Sequence, residues 1–136
     1  VTGDTLRRAL EQCASYFDVA ADGGVSVAKP FLLPKEAHFN YDYFSGIAYG
    51  FDLRKPVGRR VFGLSFRGRP VRPQDSLTLC MSNYRATGAG DFPFYRDCPR
   101  VKEIQTEISE LILNYFLAHP YVEAPDAPGY RVIPPE

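Results

Sequence analysis

A glycine-rich turn followed by closely spaced aromatic residues is the feature that most restricts how this chain can fold. The turn lies in residues 83–95, NYRATGAGDFPFY, directly after an apolar run at residues 76–82. Gly88 and Gly90 allow positive φ, so the backbone can reverse direction there. Pro93 restricts the residue before it to extended geometry. The sequence therefore predicts a strand that runs into a bent, stiff loop bearing aromatic rings.

The aromatic residues of this loop allow two interpretations. Phe92, Phe94 and Tyr95 follow the glycines almost in succession. A ring held in a fixed position at the end of a strand suits stacking on a flat ligand. The alternative is that all three rings pack in the core. The aromatic content of 14%, with nine Tyr and ten Phe, favours a ring-lined site but leaves both interpretations open.

The length and charge of the chain restrict its class and its partners. A chain of 136 residues, 45% of them hydrophobic, is expected to form one domain with its own core. Basic and acidic residues number 16 each, so no net field gathers polymeric nucleic acid or an anionic membrane. No apolar run approaches the roughly 20 residues that span a bilayer, and no signal-peptide pattern is visible. The three cysteines lack CxxC spacing and are expected to be reduced packing residues.

Helical periodicity occurs near both ends of the chain. Residues 2–17 place Leu6 and Leu10 on one face, with Thr2 positioned to cap the first turn. Residues 103–119 repeat apolar side chains at helical spacing and carry acidic residues near their N-terminal end, where the helix dipole favours them. We expect both helices to pack on the core by their apolar stripes.

Between the helices the sequence predicts an antiparallel sheet. Residues 41–53 alternate large and small side chains, and residues 60–66 and 76–83 have the composition of further strands. Short turns join the three, which indicates a meander. Residues 25–27 have the composition of a short edge strand, and the proline-rich tail from Pro120 is expected to lie extended on the surface. The predicted fold class is α+β, a layered domain whose mostly antiparallel sheet packs with two long helices.

The chain lacks the residue patterns of common catalytic and metal sites. Its only histidines, His38 and His119, have no carboxylate, Cys or His at metal-ligand spacing, and its serines lie in no nucleophile-elbow pattern. The Gly88–Gly90 turn is followed by Phe-Pro rather than by a helix, so it does not match a phosphate-binding loop. We expect no catalytic residue, no metal and no cofactor in this chain, and a binding function.

Three blocks of sequence resemble those of one protein family, in the same order. They are Thr2-Gly3-Asp4-Thr5-Leu6 opening a helix, Ser45-Gly46-Ile47 leading a strand, and Asn83-Tyr84-Arg85-Ala86 before the glycine turn, with the hairpin of residues 60–71 between the last two. Residues 1–119 thus resemble the C-terminal domain of the bacterial 5′-nucleotidase family. This family includes UDP-sugar hydrolases and the 2′,3′-cyclic-nucleotide 2′-phosphodiesterase/3′-nucleotidases, and the Asn-Tyr-Arg-Ala block is more similar to the latter branch.

The resemblance implies a function divided between two domains. In the family, an N-terminal metallophosphoesterase domain carries two divalent metals and the catalytic groups, and the C-terminal domain holds the nucleotide base between two aromatic rings. The resemblance therefore implies that residues 1–136 are a nucleotide-recognition domain. It further implies that they are a fragment without its first strand and its catalytic domain, inactive alone. The implied location of the parent protein is extracytoplasmic: periplasmic, in the cell wall or secreted.

Counting from the matching blocks assigns the implied base site. Tyr41 falls at the position of the first stacking ring and Phe92 at that of the second. The family's usual Gly-Gly-Asp-Gly turn is Gly88-Ala89-Gly90-Asp91 here, so Phe94 is an alternative to Phe92. The family's phosphate-binding arginine belongs upstream of this sequence. Four residues are expected to shape the loops: Gly46, Asn83, Gly88 and Gly90.

Two other binding functions remain open from the sequence. Exposed aromatic rings also stack on sugars, so a stand-alone module for sugars or surface ligands is the alternative to nucleotide recognition. Single-stranded RNA binding would use the arginine-rich hairpin of residues 54–72, but the equal number of acidic residues weighs against it. A metallophosphoesterase domain encoded directly upstream would favour nucleotide recognition over the stand-alone module.

Overall fold

A four-stranded sheet with a helix packed against it organises the fold. The structure, a computed structural model, describes residues 1–123 and 129–135. The described helices are α1 (Gly3–Ala14), α2 (Asn83–Ala86) and α3 (Ile108–Ala118). The described strands are β1 (Phe17–Val19), β2 (Val25–Val27), β3 (Ile47–Asp52), β4 (Val61–Phe66), β5 (Arg69–Pro70) and β6 (Tyr130–Ile133). The predicted α+β class is confirmed.

Helix α1 forms where the sequence supplies both a cap and an apolar stripe. The Oγ1 atom of Thr2 accepts a hydrogen bond from the Thr5 N–H at 3.1 Å. This bond satisfies one of the donors that the start of a helix leaves free. Leu6 and Leu10 are buried in the core cluster, as their spacing predicts. The first helix is therefore predictable from its sequence alone.

Two charged side chains fix the C-terminal end of α1 to the sheet. The carboxylate oxygens of Glu11 accept hydrogen bonds from the backbone N–H groups of Arg60 and Val61 at 3.0 and 2.8 Å. The buried Arg60 guanidinium donates in turn to the carbonyls of Ala14 and Phe17 at 2.9 and 2.6 Å. Arg60 thus joins the last residue of α1, Ala14, to the first residue of β1. The sequence predicts a helix as far as Phe17, but in the structure Phe17 begins β1.

The central sheet has the strand order β5-β4-β3-β6. Strands β3 and β4 form an antiparallel hairpin in which Phe51 lies opposite Val61, and β5 continues the meander. On the other side of β3, β6 runs parallel, with Phe51 beside Val132. Strands β1 and β2 form a separate antiparallel pair, so residues 25–27 are a short strand as predicted.

The third meander strand predicted at residues 76–83 is not formed. This extended segment makes an isolated bridge between Thr2 and Ser76. Beyond it, the Leu77 N–H donates to the Val1 carbonyl and the Val1 ammonium donates to the Leu77 carbonyl, both at 2.9 Å. Strand β4 pairs instead with the two-residue β5. The other edge of β3 pairs with β6, from the tail that was expected to lie extended on the surface. Alternation in a sequence predicts an extended segment but not its partner, because strand pairing depends on contacts distant in the chain.

The second long helix, α3, lies inside the predicted range of residues 103–119. None of its residues is buried, so the expected packing of its apolar stripe on the core does not occur within the described ranges. Across residues 1–123 and 129–135, no helix combines the length and the apolar character needed to cross a bilayer.

The core joins α1, the sheet and the loop after α2. The largest fully buried side chains are Phe51, Phe92, Leu10 and Cys13. Burial of a side chain such as Phe or Leu contributes about 1.5–3 kcal/mol. Phe92 belongs to the glycine-rich loop, so burial of its ring anchors that loop to the rest of the domain.

Candidate functional site

The glycine-rich loop begins with α2, a four-residue helix with a hydrogen bond at each end. The Oγ atom of Ser82 accepts from the Arg85 N–H at 3.3 Å, and the Gly88 N–H donates to the Arg85 carbonyl at 3.0 Å. Gly88 and Gly90 then adopt φ values of 84° and 66°. The chain therefore reverses direction at the glycines, as the sequence predicts.

The other two residues predicted to shape loops lie in fitting geometries. Gly46, directly before β3, has a φ of 82°, a value that side chains with a Cβ rarely adopt. The Oδ1 atom of Asn83 accepts from the Tyr84 N–H at 2.8 Å. Both arrangements stabilise the local backbone and place no polar group toward a ligand.

The Arg85 side chain joins the glycine turn to a distant segment of the chain. It is 6% exposed, and its Nη1 atom donates to the carbonyls of Ala89 and Gly90 at 3.0 and 3.2 Å. Its Nη2 atom donates to the Phe39 carbonyl at 3.3 Å and to the Asp42 Oδ1 atom at 2.7 Å. We refer to Arg85 with these four partners as the Arg85 junction. The junction joins the segment that contains Phe39 and Asp42 to the glycine turn and the aromatic residues after it.

Gly90 is confined by the same junction. A Cβ atom at Gly90 would collide with the Arg85 Nη1 atom and with the Asn40 Oδ1 atom. Asn40 is itself buried, and its Oδ1 atom has no hydrogen-bond partner among the described residues. The position therefore requires glycine for space as well as for its positive φ.

Phe92, the second predicted stacking ring, lies in the core beneath the Arg85 junction. Its exposure is 0%. Its ring stacks on Tyr95, with centroids 5.7 Å apart and planes 4° from parallel. The Arg85 guanidinium lies 4.2 Å from the centroid of the Phe92 ring, in cation–π range. The expectation of a ring presented to solvent is not met at Phe92, and a base could reach this ring only after the loop had opened.

Tyr41, the first predicted stacking ring, is partly buried among other rings. Its centroid lies 4.9 Å from that of Tyr16, 5.8 Å from that of Phe17 and 5.1 Å from that of Tyr43. Burial, with a smaller contribution from Tyr130, raises the pKa of Tyr41. Tyr41 thus lies beside the segment that follows α1, whereas the ring neighbours of Phe92 belong to its own loop.

Phe94, the alternative second ring, is partly buried and lines a groove. The Arg8 guanidinium lies 5.0 Å from the centroid of the Phe94 ring. The groove has a volume of about 620 Å³, and its walls include Thr5 and Cys98. The three predicted rings therefore occupy three different environments: a ring cluster, the core and a groove wall.

Sequence reasoning did not single out the rings that are accessible at the Arg85 junction. Phe39 is 62% exposed and Tyr84 is 48% exposed. The Phe39 carbonyl accepts from Arg85, and the Arg85 guanidinium lies 5.6 Å from the Tyr84 ring centroid. The signal available in the sequence was that Tyr84 directly precedes the arginine that anchors the turn. Both rings offer surface to a flat ligand without any movement of the core.

Possible metal ligands and a buried thiol bear on the chemistry available near the site. In the part of the chain that the structure describes, no three His, Cys, Asp or Glu side chains are grouped so as to hold a metal ion. Burial raises the pKa of the Cys13 thiol to about 12, and the thiolate is the nucleophilic form of cysteine, so Cys13 is a packing residue. The residues present do not fit the two divalent metals that the resemblance implies for the parent protein. Those metals, if bound, require ligands outside the described residues.

Comparison with known proteins identifies relatives of the chain. The family model described as "5′-nucleotidase, C-terminal domain" matches residues 1–97. Among solved structures, a putative 5′-nucleotidase from Staphylococcus aureus, crystallised in complex with alpha-ketoglutarate, matches with a TM-score of 0.89 and 38% identity. The match covers 98% of this chain and 26% of that one.

Curated relatives are also much longer than this chain. The trifunctional nucleotide phosphoesterase protein of Bacillus subtilis is 26% identical over an alignment of 131 residues, which covers 86% of this chain and 9% of that protein. The 2′,3′-cyclic-nucleotide 2′-phosphodiesterase/3′-nucleotidase of Haemophilus influenzae is 29% identical over an alignment of 134 residues, which covers 86% of this chain and 20% of that protein. The chain therefore corresponds to about a quarter or less of each relative. Since the family model matches well over half of its residues, the chain belongs to the 5′-nucleotidase C-terminal domain family.

Proposed function

We propose that this domain recognises the nucleotide base for a two-domain metallophosphoesterase that hydrolyses nucleotides, either as a 5′-nucleotidase or as a 2′,3′-cyclic-nucleotide 2′-phosphodiesterase/3′-nucleotidase. The observation that supports this role is the Arg85 junction. Arg85 holds the aromatic loop that follows it against the segment of Phe39 and Asp42, which is distant in sequence. Family membership supplies the substrate class, because the relatives are named as nucleotide phosphoesterases.

The charge distribution at the junction suits a base better than a phosphate. Arg85 already donates to three carbonyls and to the Asp42 carboxylate, so it has little capacity left for an anion. The rings beside it offer uncharged surface, and one base stacked on one ring is worth about 1–3 kcal/mol. In this proposal the phosphate is bound, and two divalent metals are held, by the catalytic domain.

The proposal retains Tyr41 and Phe92 as the sequence-assigned stacking rings, with Phe94 as the alternative to Phe92. The exposed Tyr84 ring is the candidate that the structure adds. Stacking on Phe92 requires the loop to open against the Arg85 hydrogen bonds, whereas stacking on Tyr84 requires no rearrangement. The two assignments differ in which substitution weakens binding.

The first prediction separates these assignments by titration of adenosine against single variants. Tyr84→Leu is expected to weaken adenosine binding by about tenfold, since the loss of one stack costs about 1.4 kcal/mol, and to leave the unfolding midpoint unchanged. Phe92→Leu is expected to lower the midpoint by several degrees because the ring is buried. Phe116→Leu, which alters an exposed ring on α3, is the control and should change neither quantity.

The alternative outcomes of this titration are equally informative. If Phe92→Leu loses affinity while it is still folded and Tyr84→Leu does not, the base reaches the core ring through an opened loop. If only Phe94→Leu loses affinity, the base lies in the groove beside Arg8. If the domain binds simple sugars but no adenosine, a stand-alone sugar-binding module replaces nucleotide recognition.

The second prediction concerns catalysis. The purified 136-residue chain is expected to release no phosphate from AMP or from 2′,3′-cyclic AMP, because hydrolysis in this proposal requires metals held by another domain. A colorimetric phosphate assay with added Mn²⁺ checks this, and the intact Staphylococcus aureus relative serves as the positive control. Metal-dependent turnover by the isolated chain would contradict the division of labour between two domains.

The proposal also includes an extracytoplasmic location for the parent protein, which follows from the resemblance to secreted and periplasmic family members. Fractionation of cells that express the parent protein, followed by detection with an antibody against this domain, tests that location. Recovery of the protein from the cytoplasmic fraction would contradict it.

A further inference from the structure

Helix α3 presents an apolar stripe that no described residue covers. The stripe consists of residues spaced three and four apart on one face of the helix: Ile108, Leu111, Ile112, Tyr115 and Phe116. Each of them is between 41% and 54% exposed. The stripe itself contains no charged side chain, and we refer to it as the α3 stripe.

Exposed apolar side chains also precede and follow the helix in the sequence. Val101 and Ile104 before it are 81% and 60% exposed, and Tyr121 and Val122 after it are 93% and 50% exposed. No residue between positions 99 and 123 is buried. A large amount of exposed apolar surface marks an interaction site. An isolated helix of this length is marginal in water, so packing against another surface is what would stabilise α3.

We propose that the α3 stripe packs against the part of a 5′-nucleotidase polypeptide that lies outside the region matched by this chain. The match to the solved Staphylococcus aureus relative covers 98% of this chain but only 26% of that one. About three quarters of that relative therefore lies outside the matched region and is available to cover the stripe. The partner surface must be apolar, because a charged or polar surface would leave buried groups without partners.

A second copy of this chain is the competing occupant, since two α3 stripes could cover each other. The remainder of the polypeptide is favoured because tethering in one chain gives it a high effective concentration. The inference rests on the proposed two-domain organisation but not on nucleotide binding. An experiment without nucleotide therefore tests it separately.

The experiment replaces the matching quarter of the Staphylococcus aureus 5′-nucleotidase by this chain and compares hydrogen exchange in the chimera and in the isolated chain. The amides of α3 are expected to exchange at least tenfold more slowly in the chimera. Ile112→Glu, in the α3 stripe, should restore fast exchange and lower the thermal midpoint of the chimera. Leu113→Glu is the matched control, because Leu113 is 57% exposed beside Ile112 at 52% but lies off the stripe.

Each contrary result overturns the proposal. Equal exchange of α3 in the two proteins would show that nothing in the longer polypeptide covers the stripe. Equal effects of Ile112→Glu and Leu113→Glu would show that the stripe has no special role. A concentration-dependent dimer of the isolated chain that Ile112→Glu dissociates would identify a second copy as the occupant. If the chimera does not fold, the same pair of substitutions at the aligned positions of the intact relative gives the same comparison.

Discussion

At the scale of single residues, Arg85 determines where the aromatic rings of the site lie without being available to a ligand. A buried guanidinium that donates to three carbonyls and one carboxylate fixes the backbone at each acceptor. Charge-assisted hydrogen bonds of this kind are stronger than neutral ones. Arg85 is therefore a positioning residue, whose removal should affect the fold of the loop before it affects any chemistry.

The third prediction follows from this role. Arg85→Met keeps the apolar stem but leaves the Asp42 carboxylate and the loop carbonyls without their donor. The free energy of unfolding is expected to fall by about 3 kcal/mol, as for other buried pairs that lose one partner. The control is Arg100→Met, which removes an ion pair with Glu103 in which both side chains are more than half exposed. That change should cost less than about 1 kcal/mol.

Denaturant unfolding of the two variants checks this prediction, with the amide exchange of Ala89 and Gly90 as a local readout. If Arg85→Met unfolds at the same denaturant concentration as the Arg100→Met control, the junction does not hold the loop. A rise in the exchange rate confined to the glycine turn would show instead that the junction stabilises the loop and not the whole domain.

The sequence predicts part of the site and not the rest, for reasons visible at particular residues. Gly88 and Gly90 reveal the reversal of the chain because few other residues adopt positive φ. The role of Arg85 is hidden, since its partners Asp42 and Phe39 lie 43 and 46 residues earlier in the chain. The same long-range contact turns the Phe92 ring inward, and loop composition alone left both the core and the ligand interpretation open.

At the scale of elements, the segment at residues 77–82 forms no strand but keeps the alternating burial of one. Leu77, Leu79 and Met81 are partly buried while Thr78 and Cys80 are exposed, which is the alternation that the sequence predicts for a strand. Its ladder with the N-terminal residue stops at Leu77. The sequence thus predicts the alternation of the segment, but the strand predicted at residues 76–83 is not formed. Pairing of β6 with β3 was not predictable, because its register is set by residues about 80 positions apart.

The fourth prediction is that the proposed first strand of the intact domain adds to this segment antiparallel. Val1 and Leu77 exchange both backbone hydrogen bonds, and in an antiparallel ladder every second residue does so. The N–H groups of Leu79 and Met81 should therefore donate to an incoming strand, and those of Thr78 and Cys80 should point away.

This prediction is tested by adding to the N-terminus the roughly ten residues that precede the matched region in the Staphylococcus aureus relative, a length typical of a strand and its connection. The amides of Leu79 and Met81 are expected to exchange at least tenfold more slowly than in the 136-residue chain, with those of Thr78 and Cys80 unchanged as internal controls. Slowing of all four amides, or of none, would show that the strand does not add in this register.

At the scale of the whole molecule, a thiol and several tyrosine hydroxyls lie in or against the described core. Burial is the main cause that raises the pKa of each member of this set: Cys13, Tyr41, Tyr49, Tyr95 and Tyr130. For Cys13 and Tyr49 the pKa rises to about 12. The fold therefore disfavours the deprotonated forms of these groups, most strongly where the side chain is fully buried.

The fifth prediction is that the free energy of unfolding falls in alkali and that titration of Tyr95 causes a measurable part of this fall. Above their ordinary pKa values of 9.0 for Cys and 10.0 for Tyr, these groups lose protons in the unfolded chain while the folded chain keeps them. The unfolded state then binds fewer protons, so the free energy of unfolding falls as the pH rises. The stabilisation is complete below about pH 9 and decreases from there toward the raised pKa of each group. A fully buried group contributes at most about 1.4 kcal/mol per pH unit.

Tyr95 offers the sharpest test because it is 3% exposed and its hydroxyl has no hydrogen-bond partner among the described residues. Tyr95→Phe removes a titrating group without removing a hydrogen bond. The variant should be at least as stable as the original chain at pH 8 and should lose less stability between pH 9 and pH 11. Tyr115→Phe on α3, where the side chain is 52% exposed, is the matched control with an exposed tyrosine. The measurement is denaturant unfolding at several pH values, followed in parallel by tyrosinate absorbance. If Tyr95→Phe is strongly destabilised at pH 8, the hydroxyl is bonded in solution and the inward-facing loop, Phe92 included, is held by more than ring packing.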